Sequence, residues 1–340
     1  MPKPKVLSFE KVLKKLGDAK RPHLLLGNGF SRACRDDIFS YQALYDQAEL
    51  SGLSKDARKA FTALGTNDFE QVMRMLKQAA KLAKEYGRGN LARILGAHAD
   101  EIREVLVRTI ADNHPARPND VSNAKYQACK QFLSRFSDIY TLNYDLLLYW
   151  AVMQDEIEPE VACDDGFRQP EDGPEDYVTW EVQNTNSQSI HYLHGALHIF
   201  DAGAELQKYT WSNTQIALID QIRAALKADK YPLFVSEGSA ESKLERIQHS
   251  GYLNRSYRSF ANLRGSLLIF GMSMADNDEH ILRLLNRSKF GQIAIGLHGP
   301  ADSTGNKRII ARAMDFGTKR KGGAPELIYF DAASAAVWGA

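Results

Sequence analysis

Four short polar stretches in this chain carry residue types that could bind and cleave a charged small molecule: Gly27-Asn28-Gly29-Phe30-Ser31, Asn143-Tyr144-Asp145, His194-Gly195 and Gly271-Met272-Ser273. The glycines of a Gly-x-Gly-x-Ser run let a backbone approach a pyrophosphate and offer it N–H donors. They equally suit a plain strand-to-helix turn. Asn143 and Asp145 could orient a ribose hydroxyl or a water and accept from an amide, or could each cap a helix. His194 could take a proton near neutral pH, or could be a hydrogen-bonded core histidine. Ser273 and the amides around it could hold a nucleotide, while Asp278 beyond it could cap the next helix.

Metal chemistry finds little support at these positions. His191, His194 and His198 have the spacing of ligands on a helix, but Ser-Ile-His-Tyr-Leu-His-Gly reads as a strand that breaks at glycine. On a strand, positions 191 and 194 face opposite ways. Cys34, Cys129 and Cys163 are odd in number, lie far apart and form no Cys-x-x-Cys pair, so neither a disulfide framework nor a four-cysteine zinc module is expected. The Gly-x-Gly run also lacks the third glycine of the dinucleotide fingerprint and an acidic residue about 20 positions on, which disfavours an ordinary hydride-transferring dehydrogenase.

The elements that must carry these groups alternate. Leu24–Leu26, Ile139–Leu142, Ile190–Leu193, Leu233–Val235, Ser266–Phe270, Ile293–Leu297 and Glu326–Phe330 read as buried strands, and most end in one of the polar stretches. Helices are expected at residues 6–16, 146–153, 213–228, 242–250, 256–263, 278–285 and 307–314. The fold class is therefore α/β: a Rossmann-like, mostly parallel sheet covered by helices. Such sheets bind ligands outside the carboxyl ends of their strands. Residues 41–137 show helical periodicity almost throughout, with Phe69, Val72, Met73, Leu76 and Ala80 on one face after an Asn67/Asp68 start signal. They form a helical insertion after the first strand-helix unit. The sheet domain comprises residues 1–40 and 138–340, and within it 154–181 is acidic and turn-rich, a surface loop or lid.

Composition bounds the function. The 340 residues carry 43 Lys+Arg against 42 Asp+Glu, a formal net charge of +1, and are 44% hydrophobic. Near-neutrality does not support nucleic acid or anionic lipid as the main partner. No apolar run reaches the roughly 20 residues of a membrane span, and the start leads into a charged amphipathic segment, so a cytoplasmic protein is expected.

In order, Gly27-Asn-Gly-Phe-Ser31, Thr141-Leu-Asn-Tyr-Asp145, Leu193-His-Gly195 and Gly271-Met-Ser-Met274 resemble the four signature motifs of the sirtuin-like superfamily. Asn67-Asp-Phe-Glu70, Tyr231-Pro-Leu-Phe-Val-Ser-Glu-Gly238, Gly251-Tyr-Leu253 and Asn277-Asp-Glu-His-Ile281 further resemble a largely uncharacterised bacterial branch of it. The resemblance implies NAD as the ligand. Gly27, Asn28, Gly29, Phe30 and Ser31 would serve its phosphates and nearby ribose, Asn143 and Asp145 the scissile end, His194 catalysis, and Gly271 with Ser273 the adenosine side. Protein-deacylating relatives carry a zinc module of two cysteine pairs soon after the histidine, and no cysteine follows His194. The resemblance therefore implies an NAD hydrolase without a metal, releasing nicotinamide and ADP-ribose. It would act as a regulated effector in bacterial anti-phage defence, as a homo-oligomer or with a partner defence protein. The alternatives are a nucleotide-sensing or assembly subunit with little turnover, and an NAD-dependent deacylase.

Overall fold

The structure is a computed structural model that describes residues 4–17, 21–50, 52–170, 175–183, 187–203, 205–228, 230–235, 240–318 and 323–339. The chain opens on strand β1 (Val6–Leu7) and helix α1 (Phe9–Leu16), followed by β2 (His23–Leu26) and α2 (Gly29–Phe39). Helices α3 (Tyr41–Leu50), α4 (Lys55–Leu64), α5 (Phe69–Glu85), α6 (Gly89–Asn113) and α7 (Asn123–Leu133) form the expected helical block. Next come β3 (Ile139–Thr141), α8 (Leu147–Val152), β4 (Phe167–Arg168), β5 (Tyr177–Trp180), β6 (Ile190–Tyr192), β7 (Gly195–Asp201) and β8 (Leu206–Tyr209). Then follow α9 (Trp211–Thr214), α10 (Leu218–Lys227), β9 (Pro232–Phe234), α11 (Ala240–His249) and α12 (Gly251–Asn262). The last elements are β10 (Arg264–Phe270), α13 (Glu279–Arg287), β11 (Lys289–Leu297), α14 (Thr304–Ala313) and β12 (Glu326–Asp331).

Seven strands form one sheet in the order β1-β12-β11-β10-β2-β3-β6, and every neighbouring pair is parallel. Sequence order runs outward from β2 through β3 to β6 on one side, and from β10 through β11 to β12 on the other. The reversal falls between β2 and β10, which makes their shared carboxyl edge the topological switch point. Register aligns that edge: Leu26 lies opposite both Phe270 and Thr141, and Thr141 opposite Tyr192. The polar stretches that follow these residues emerge side by side.

Both faces of the sheet are buried, as parallel sheets require. Side chains alternate across it: Leu24 and Leu26 enter one core with Val72, Met73, Ile102, Leu106 and Ile110 of the helical block, while Leu25 enters a second core with Tyr140, Leu193, Ile269 and Ile295. The helical block thus shares a core with the sheet.

Several elements depart from the sequence reading. Val6–Leu7, expected as helix, pairs with β12 as an edge strand. The acidic 154–181 segment is not wholly a loop, because β4 and β5 within it belong to a second sheet, antiparallel, ordered β4-β5-β8-β7-β9. The strand at 232–234 joins that second sheet and not the parallel one. Residues 213–228 break at Gln215, which adopts a left-handed conformation between α9 and α10. Residues 171–174 of the acidic segment and 236–238, the end of the motif that begins at Tyr231, lie outside the described residues.

The two sheets meet at Gly195. Its φ of +79° turns the chain from β6 into β7, and an added Cβ would lie 1.9 Å from the Leu233 carbonyl oxygen. We expect Gly195→Ala to lower the thermal midpoint by several degrees, since left-handed backbone alone costs a side chain about 1–2 kcal/mol. Gly96→Ala, inside α6 with nothing within 4 Å of the added carbon, should instead stabilise by about 0.5–1 kcal/mol. Equal melting of Gly195→Ala and the parent would refute this account of the sheet junction.

Candidate functional site

A cavity of about 680 Å³ lies along the carboxyl ends of β2, β3, β6, β10, β11 and β12. It is lined at one end by Asn143, Tyr144, Asp145 and His194, at its centre by Gly27, Asn28, Gly29, Gly271 and Ser273, and at the other end by His298, Asn306 and Trp338. A second cavity of about 510 Å³, between Leu13, Arg21, Gln131, Arg135 and Glu160, holds none of the sequence-selected residues.

The glycines at the centre serve the contact between two loops. A Cβ on Gly29 would lie 2.5 Å from the Gly271 Cα, and one on Gly27 would lie 2.7 Å from the Gly271 carbonyl oxygen. The Gly27 amide donates to the Phe270 carbonyl and the Gly29 amide to the Gly271 carbonyl, both at 2.9 Å. Their N–H groups are therefore spent within the protein, and their part in ligand binding is to shape the wall. Asn28 donates its side-chain amide to the Phe39 carbonyl at 3.1 Å. Phe30 is fully buried behind the wall, packed on Trp338 with ring centroids 5.1 Å apart, and its carbonyl accepts from the Trp338 indole N–H.

Ser31 is also fully buried and ties two distant positions together. Its hydroxyl donates to Asp145 Oδ2 at 2.5 Å and accepts from Asn143 Nδ2 at 2.8 Å. The other Asp145 oxygen accepts from the Leu147 amide at the start of α8. Leu146, not Asp145, stands at the cap position of α8; Asp145 instead takes the first helical amide from one residue earlier and also fixes Ser31. Burial, opposed by the Ser31 hydrogen bond, holds the Asp145 carboxyl above its usual range. The Nδ2 bond to Ser31 fixes the plane of the Asn143 amide in the cavity wall.

His194 is buried and faces a histidine that the sequence reading did not select. Its Nε2 lies 2.9 Å from His280 Nε2, with centroids 5.0 Å apart and planes 26° from parallel. At those separations the rings point at one another nearly in plane, the geometry of an N–H···N bond. One of the two facing nitrogens carries the shared hydrogen and the other accepts it, while His280 Nδ1 is buried without a partner. Burial first, then the Lys243 ammonium and His280, hold the His194 pKa well below 6.5, so the ring is neutral at pH 7.

Among the described residues, His194, Asp278 and His280 are the group of His, Cys, Asp and Glu close enough to share an ion, with ligand atoms within 4.8 Å. The head-on rings do not converge their lone pairs on a common point, and Lys243 already sets a cation 3.7 Å from Asp278. His191, His194 and His198, whose spacing alone resembled ligands, do not gather: His191 stacks on Tyr140 at 4.4 Å, and His198 packs on Tyr149 and Tyr192.

Lys243, fully buried on α11, donates to Glu70 Oε2 at 2.7 Å. Burial would lower its pKa, but Glu70 and Asp278 more than offset that and the pKa is raised. Asp278 makes no capping bond; burial chiefly, against the attraction of Lys243, lifts its pKa to about 6. The segments 67–70 and 277–281 were thus visible as motifs without a role. Burial raises the thiols of Cys34 and Cys163 to about 12 and lifts that of Cys129 well above its ordinary value, which makes all three poor nucleophiles.

A family model described as Domain of unknown function (DUF4917) matches residues 24–338. None of the curated proteins compared with the chain matches it.

Burial also depresses the pKa values of His114 and His191 to about 4 and those of His194, His198 and His280 well below 6.5. A histidine depressed in the fold contributes stability that is present above pH 6.5 and is lost as pH falls towards its folded value. His114 and His191 would each lose on the order of 3 kcal/mol by pH 4. Asp145 and Asp278, raised by burial, act in the opposite sense, and five histidines outweigh them. The urea midpoint should hold between pH 8 and 7 and fall steadily below about 6.5. An unchanged midpoint at pH 5 would contradict the neutral assignment of these rings.

Proposed function

The chain belongs to the DUF4917 family, and from the cavity enclosed by its matched segment we propose that it is an NAD glycohydrolase that yields nicotinamide and ADP-ribose. The observation that carries this reading is the elongated cavity at the sheet's switch point, with an oriented amide and a neutral histidine at one end. A cavity of this size suits a dinucleotide-scale ligand. The order of the four motifs and their resemblance to the sirtuin-like superfamily support NAD as that ligand.

In the proposed reaction the bond between the nicotinamide nitrogen and ribose C1′ breaks through an oxocarbenium-like state. The bonding pair passes to the pyridinium nitrogen and neutralises it. Water forms the new C–O bond, and its proton leaves through His194 to solvent. Such a step needs orientation and charge stabilisation more than a strong base. The Asn143 carbonyl oxygen, fixed by the Ser31 bond, would orient a ribose hydroxyl or the water. Ser273 and Gly271 would border the adenosine side. By the same resemblance the protein would work in the cytoplasm as a regulated anti-phage effector, as a homo-oligomer or with a partner defence protein.

One observation favours a second reading, a nucleotide-sensing subunit with little turnover. His194 Nε2 is already paired with His280 Nε2 at 2.9 Å, so the pair must part before His194 can accept a proton from water.

Purified protein incubated with NAD should release nicotinamide, and Asn143→Ala or His194→Ala should each cut the rate at least about 100-fold. Undiminished turnover in both variants would sink the site assignment. Thermal protection by NAD with no nicotinamide released under any condition would favour the sensing reading.

A further inference from the structure

The His194 end of the cavity has a charge pattern that the reaction scheme does not use. Glu70, from the first turn of α5, and Asp278, from the start of α13, both line it, together with Asn277, Tyr41 and Tyr144. The Lys243 ammonium that holds the two carboxylates is fully buried and is not among the cavity-lining residues. Asp68 adds a third carboxyl whose field reaches Asp278, and His194 and His280 are neutral. Three carboxyls therefore answer one ammonium, and two of them, Glu70 and Asp278, line the cavity while the ammonium does not.

A second observation is independent of charge. Asn277 is only 6% exposed and gives its Nδ2 to Glu70 Oε2 at 2.5 Å, while its Oδ1 has no partner. An acceptor left bare in a buried wall costs free energy unless a ligand donates to it. Carboxylates, tyrosine rings and a vacant acceptor together suit an organic cation that carries N–H donors.

We propose that Glu70, Asp278 and Asn277 form a recognition site for a cationic, amide-bearing ring. On the NAD reading, on which this rests, the ring is oxidised nicotinamide, and the site makes the protein discriminate NAD⁺ from NADH. The two dinucleotides differ at the ring by one positive charge, so the carboxylates favour the oxidised form while the rest of the cavity treats both alike. The groups facing Asp278 are Lys243 of α11, Glu70 of α5 and Asp68 at its cap, Tyr41, Tyr144, and the paired rings of His280 on α13 and His194 after β6. Burial lifts the Asp278 pKa to about 6, so acid should erode the discrimination.

Equilibrium titration of the full chain with carbocyclic NAD⁺, which has no cleavable glycosidic bond, with NADH and with ADP-ribose tests this. At pH 7.5 the oxidised analogue should bind about ten-fold or more tighter than NADH, and the gap should narrow at pH 5.5. Glu70→Gln and Asp278→Asn should each remove most of the gap and leave ADP-ribose affinity within about two-fold. The wild-type comparison and its pH series stand even where a variant fails to fold. Equal binding of the two dinucleotides alongside firm ADP-ribose binding would overturn the charge site alone. Absence of ADP-ribose binding would remove the NAD reading and this assignment with it. Displacement of the analogue by Mn²⁺ or Zn²⁺ alone would give the cluster to a metal and also overturn it.

Discussion

Parallel pairing of β2 with β10 brings Leu26 opposite Phe270, and the residues that follow, Gly27 and Gly271, leave the sheet in contact. Backbone touches backbone there, closely enough that a methyl group on Gly29 would meet the Gly271 Cα at 2.5 Å. That contact fixes where α2 begins and so places Ser31, one turn in, against the start of α8. From Ser31 the order passes by hydrogen bonds to Asp145 and Asn143. The orientation of the Asn143 amide at the cavity is thus set by two glycines that need not touch the ligand at all.

Polar atoms around the cavity divide into two populations. Ser31, Asp145 and the Asn143 Nδ2 are mutually satisfied, and such closed networks rigidify what they join. Asn277 Oδ1 and His280 Nδ1 have no partner, and both belong to the 276–281 segment that follows β10. The satisfied groups hold the scaffold, and these two unsatisfied atoms lie beside the proposed chemistry. The same division appears in charge. Asp145 is buried among donors and serves as structure, whereas Asp278 is shared between an ammonium and the cavity.

The parallel sheet was legible because its strands are apolar runs closed by polar turns, and the run 24–26 is buried on both faces. The Ser31 cluster was legible as a set of residues but not as a bonded unit, since positions 31 and 145 give no local sign of touching. The second sheet was not legible. Four of its five strands have only two to four residues, β5 and β8 carry Thr179, Gln207 and Lys208, and Gly195 looked like an end when it is also the beginning of β7. Val6–Leu7 is a strand only because β12 offers an edge. Lys243 was invisible for a different reason. A lone lysine on an amphipathic helix ordinarily reads as solvated, and only the fold reveals that Glu70, 173 positions away, is its partner.

That partnership changes what the helical block is. Its residues fill the core beneath Leu24 and Leu26, and its α5, started by the Asp68 cap on the Gln71 amide, supplies a wall of the cavity through Glu70. A buried ammonium stripped of its carboxylate is strongly destabilising, so α5 cannot withdraw from α11 without leaving Lys243 exposed to that penalty. Nor can it shift without altering the field at His194, because the same ammonium acts on both histidines. The 41–137 segment is therefore bound to the site by core packing and by charge at once. A change in the helical block has a direct physical route to the reacting end of the cavity through one lysine.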